Sequence, residues 1–136
     1  MRWWRRLLRS RLLTLISAIL ADCVRVAVAV PYVEWGRKHR GPGPLAETLR
    51  HRGAASLFRN EERRAILRRL IGAVDARMPG GPNCYRRALL EIGLDAGAAR
   101  EPLKMGLQPH GGPKSGHAWL GEPQPGAPSY EALFEI

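Results

Sequence analysis

A chain of 136 residues, 45% hydrophobic and 25% charged, has room for one modest core and reads as globular, not disordered. Its net charge of +10 is carried by residues 1–70, while residues 71–136 are close to balanced. That field suits an anionic membrane or an acidic partner. With no zinc-finger spacing, RNA-binding aromatic signature or helix-turn-helix pattern beside it, nucleic-acid binding is not expected.

The opening stretch, "MRWWRRLLRSRLLTLISAILADCVRVAVAVPYVEW", begins with arginines and two tryptophans and then turns apolar. Its uninterrupted apolar run, Leu12 to Ala21, stops at Asp22 and Arg25, well short of the roughly 20 residues that cross a bilayer. A span is therefore not predicted. "LADC" resembles a lipoprotein cleavage site but places charged Asp22 before Cys23, and the AxA pattern at Ala27 and Ala29 follows a hydrophobic region broken by charges. Secretion stays an alternative to the cytoplasmic location expected here. Leu12, Leu15, Ile16, Ile19, Leu20, Cys23 and Ala27 recur at helical spacing, predicting an amphipathic helix that ends before Pro31. Two uses fit it. It packs on the domain or a partner, or it lies peripherally at the inner membrane face, with Trp3 and Trp4 at headgroup level and the arginines on anionic lipid. Cys23, on the stripe, reads as a core residue.

Residues 36–52 are rich in Gly, Pro and positive charge and predict a loop with a short helix around Leu45 to Leu49. Asn60 followed by Glu61 and Glu62 is a helix-start signal, and Ile66, Leu67, Leu70, Ile71, Val74 and Met78 continue it to the "MPGGP" break. Arg63, Arg64, Arg68, Arg69 and Arg77 read as its solvated face. The chain thus divides into a basic helical region, 1–58, and a second region, 59–136.

Within "GPNCYRRALLEIG", Cys84 falls at the first turn of a helix carrying Tyr85, Ala88, Leu89 and Ile92, with Gly93 placed to end it. "PLKMGL", "GHAWL" and "SYEALFEI" then alternate with period two, as strands do. N-terminal helices, one further helix and a small antiparallel sheet make an α+β protein.

A thiol at a helix N-terminus meets free N–H groups and the positive end of the helix dipole, both of which favour thiolate. His117 is the candidate base that completes a nucleophile, the two side chains meeting where helix packs on sheet. The two cysteines make no CxxC pair, so neither a disulfide framework nor a zinc site is indicated.

Three motifs in this order, C-x-x-R-A-L from Cys84, the strand "PLKMGL" and "GHAWL" around His117, resemble the transglutaminase-like cysteine peptidases of lasso-peptide biosynthesis, the B proteins. The resemblance covers residues 60–136, and the basic apolar amino-terminal helix is also similar. It implies a papain-like or transglutaminase-like core, Cys84 as nucleophile, His117 as base, and no metal or organic cofactor. It further implies a ribosomally made precursor peptide as substrate and an ATP-dependent lasso cyclase as a neighbour in the pathway. No winged-helix domain is read ahead of the helices, so the chain looks like the split type, which relies on a separate small leader-recognition protein.

The family's third residue is an aspartate, and none follows Asp95. Glu131 is the substitute, with Glu135 and Glu122 behind it. If His117 pairs opposite Leu133, Glu131 shares its face; if opposite Phe134, Glu131 points away. The Cys84 N–H is the natural oxyanion donor, and Asn83 is either a second donor or a helix cap. His110 reads as a loop residue bordering the groove, and Trp119 as core or as a wall of the site. Two other readings stay open: a catalytically degenerate, basic membrane-associated scaffold, and acyl transfer from the same thioester to an amine.

Overall fold

The computed structural model describes residues 2–108, 116–123 and 130–136, with side chains from residue 8 onward. The fold is α+β: four α-helices, α1 (Arg2–His39), α2 (Pro42–Ala54), α3 (Glu61–Asp75) and α4 (Cys84–Leu94), precede three strands. These are β1 (Leu103–Leu107), β2 (Gly116–Leu120) and β3 (Glu131–Glu135), antiparallel in the order β2-β1-β3.

The centre is α4, which packs against α1, α2, α3 and β2. Leu89, Leu90 and Ile92 are fully buried there, joined by Val26 and Val33 of α1, Leu45 and Leu49 of α2, Leu67 and Ile71 of α3, and Leu103 of β1. Segments 1–58 and 59–136 thus share one core. α2 crosses α4 at Gly53, where a Cβ would lie 1.8 Å from the Ile92 carbonyl oxygen. Only hydrogen fits at that crossing.

Several boundaries differ from the sequence reading. α1 runs through Pro31 to His39, because Pro31 sits on the exposed side and forfeits one hydrogen bond while Val30 and Val33 on either side are held in the core. The expected loop over 36–52 is the end of α1 and most of α2, which starts with proline at its first position, where no N–H is needed. Gly93 lies inside α4, against Leu49, and Asp95 is the cap.

Cys23 is exposed, not core. The buried stripe of α1 is Asp22, Val26, Val30 and Val33, one residue out of phase with the apolar reading, because Asp22 is drawn in by Arg59 at 2.6 Å. Arg64 is likewise buried rather than solvated, bound to Glu91 at 2.7 Å and to Glu101. α1 is also long and apolar enough, by length and composition, to cross a membrane.

Replacing Gly53 by alanine should push α2 off α4. A loss of about 3 kcal/mol is expected by urea denaturation, the upper end for overpacking, since the clash is with backbone. A change within about 0.5 kcal/mol, the range of ordinary surface substitutions, would contradict this packing.

Candidate active site

The site is built from the start of α4. After α3 the chain turns through Gly80 and Gly81, both at positive φ, which lets it reverse direction. Asn83 then caps α4, its side-chain oxygen accepting from Arg86 N–H at 2.9 Å. Beneath the cap lies Asp75, fully buried at the end of α3. Its carboxylate accepts from Asn83 N–H at 2.9 Å, from Arg86 Nε at 2.5 Å and from Arg87 Nε at 2.5 Å. Arg86 also donates to the Gly81 carbonyl at 2.7 Å and to Glu34 of α1 at 3.0 Å. Burial works to raise the Asp75 carboxyl, but the Asn83 N–H and the two guanidinium groups outweigh it and hold the group below the ordinary carboxylate range. One ionised side chain therefore fixes where α4 begins.

Cys84 is half-buried at that beginning. Its Sγ accepts from the backbone N–H of Ala118 at 3.3 Å. Ala118 pairs with Met105 at a position that turns its N–H away from β1, so the free edge of β2 supplies the donor. The cap takes the Arg86 N–H and leaves that of Cys84 without an intrahelical partner. Between β2 and the α3–α4 pair lies a cleft of about 460 Å³, lined among others by Cys84, His117, Trp119, Tyr130, Arg87 and Glu122.

Cys84 and His117, the nucleophile and base expected from sequence, thus line one cleft. His117 stacks on Tyr130, with ring centroids 4.6 Å apart, and on Trp119 at 5.9 Å. Burial pushes its imidazole below the ordinary value, so the ring is neutral at pH 7. Among the described residues it has no hydrogen bond to Cys84 and none to an acid. The imidazole is neutral and stacked with Trp119 and Tyr130, on the face of the sheet opposite buried Ala118, and it lines the cleft with Cys84 without touching it among the described residues.

Glu131 does not stand behind His117. Neither register considered for it occurs, since β3 pairs with β1 and never meets β2. His117, Gly106 and Ala132 lie in one row across the sheet, whereas Glu131 pairs with Leu107, one residue further on and on the opposite face. Glu131 is exposed. Tyr130 instead reaches His117 across Gly106, where a Cβ would lie 2.1 Å from the Glu131 carbonyl oxygen and 3.1 Å from the Trp119 ring. Glu122 lines the cleft but pairs with Lys104 at 3.1 Å, and Glu91 is held by Arg64 and Arg68 at 2.7 and 2.8 Å.

Asn83 is the cap, its side-chain oxygen accepting from Arg86 N–H and its backbone N–H donating to Asp75. Trp119 is a wall of the cleft, its Nε1 buried without a partner among the described residues. His110 lies outside the described residues. Tyr130 was missed from sequence; its signal was that it shares strand parity with Ala132, in the row of the side-chain-free Gly106. Among the described residues, no three His, Cys, Asp or Glu side chains gather as a metal site. No family model, curated protein or solved structure matches the chain.

Asp75→Asn takes from buried Arg86 its fully buried acid partner and leaves it only the partly exposed Glu34. It should lower unfolding free energy by about 3 to 5 kcal/mol, read by chemical denaturation; a loss under about 1 kcal/mol, the size of an exposed ion pair, would remove Asp75 from this role. His117 should titrate below 6.5 by NMR. Because the unfolded imidazole then binds its proton first, stability should fall as pH drops through about 6.5. His117→Asn should flatten that window, and a ring titrating at or above 6.5 would contradict its burial in the stack.

Proposed function

We propose that the protein is a cysteine peptidase of transglutaminase-like architecture that removes the leader from a ribosomally made precursor peptide of lasso type. One observation carries the reading: Cys84 opens a helix, with Sγ 3.3 Å from a strand-edge N–H, in a cleft shared with His117. The motif resemblance supplies the substrate class. The cleft is large enough for a peptide segment, and its aromatic wall suits apolar side chains.

In this chemistry His117 leaves its stack and takes the Cys84 thiol proton as Sγ bonds to the scissile carbonyl carbon. The oxyanion is stabilised by the N–H of Cys84, with the Ala118 N–H beside it. Collapse breaks the C–N bond, His117 returns the proton to the leaving amine, and water hydrolyses the thioester. Before His117 leaves its stack, Tyr130 and Trp119 hold the imidazole, where the family has a third acid. In this reading the chain acts in the cytoplasm with a separate leader-recognition protein, and the mature segment passes to an ATP-dependent cyclase.

One observation favours a second reading. The stacked, acid-free His117 is also what a degenerate site would present, which makes the fold a scaffold.

Cys84→Ala should abolish cleavage of the precursor in the presence of its recognition protein. His117→Ala should slow it by about a hundredfold or more, the contribution of a general base, while Glu131→Gln changes it less than about twofold. An acyl-enzyme of the expected mass on Cys84, seen in intact-protein mass spectrometry, checks the thioester. Full maturation in cells carrying Cys84→Ser would favour the scaffold.

A further inference from the structure

We infer that α1 is a two-faced membrane-surface helix that carries the folded body on one side and rests its other side on an anionic bilayer. At 100° per residue, the buried anchors Asp22, Val26, Val30 and Val33 cluster about one direction. Leu13, Leu20, Val24, Val28 and Trp35 fall within an arc of about 80° centred roughly 160° from it. This outer face is bare: Leu20 is 60%, Val24 64% and Val28 71% exposed, and exposed Ala27 and Pro31 fill the same side. From Leu13 to Trp35 it runs about 33 Å. It is a different surface from the apolar stripe marked out in the sequence.

The occupant follows from charge. Exposed Arg9 stands at one end of the face, and Lys38 and Arg40 at the other, with Arg40 lying over the Trp35 ring at 5.3 Å. A second copy, parallel or antiparallel, would bring like charges together at both ends. Anionic headgroups neutralise them, and each basic residue near such a surface contributes about 1 kcal/mol. A spanning orientation is disfavoured despite the helix's length, since it would drag the Asp22–Arg59 ion pair and the body it holds into hydrocarbon. The helix therefore lies in the plane of the interface, Trp35 at headgroup depth.

The test uses the full chain and vesicles of phosphatidylcholine with or without phosphatidylglycerol. The wild type should co-sediment with the anionic vesicles, weakly with the neutral ones, and less as salt rises. Leu20→Glu, Val24→Glu and Val28→Glu combined should weaken binding by about tenfold or more, as expected when the inserted face is made acidic. These positions face away from the body, so an unchanged thermal melt separates lost docking from lost folding. Leu133→Glu, which alters an exposed leucine on β3, should bind as the wild type does. Binding by the triple variant within twofold of wild type would overturn the inference. So would equal binding to neutral vesicles, or a dimer in light scattering that the triple variant dissociates while vesicles stay unbound. None of these readouts depends on peptidase activity.

Discussion

The Asp75 carboxylate is the constraint on which the site depends. It is fully buried, and it binds the N–H that precedes Cys84 and the guanidinium groups of Arg86 and Arg87 in the first turn after it. A buried charge with three donors stabilises one arrangement of them and penalises every other. Through Arg86 the same charge reaches the glycine turn and Glu34 of α1. Where α4 begins, and hence where the thiol sits, is thereby tied to helices that come earlier in the chain.

The other end of α4 is held by a second set of buried ions. Asp22 and Asp95 meet Arg59, while Glu91 and Glu101 meet Arg64. The two sets bracket a short helix that buries Ala88, Leu89, Leu90 and Ile92, so its position along its own axis is set by charge and its rotation by packing. Such pairs are weak sources of net stability but strongly disfavour misregistered alternatives when one partner is displaced.

Local signals were legible in the sequence. Asn60 and Asn83 cap the helices they were expected to begin, and the three alternating segments are the three strands. Features that depend on distant partners were not. Arg64 and Arg86 lie beside hydrophobic positions with nothing local to show that acids of other elements draw them inward. Asp22 shifted the buried face of α1 for the same reason, which misplaced Cys23. Strand order is likewise a tertiary property: once β3 joins β1 instead of β2, Glu131 is on the wrong face and Tyr130 becomes the neighbour of His117.

Placing Tyr130 just ahead of β3 has a dynamic consequence. β3 has exposed side chains and a single partner strand, and it is tethered at its far end, where Ile136 pairs with Leu103 and its carbonyl accepts from Arg50. An element of this kind opens at lower free energy than the helices around α4, and fraying starts from the end away from Ile136. That end is Tyr130. In the proposed mechanism, release of the imidazole would thus be a local event at the margin of the sheet, with the thiol held still on the most deeply packed helix in the fold.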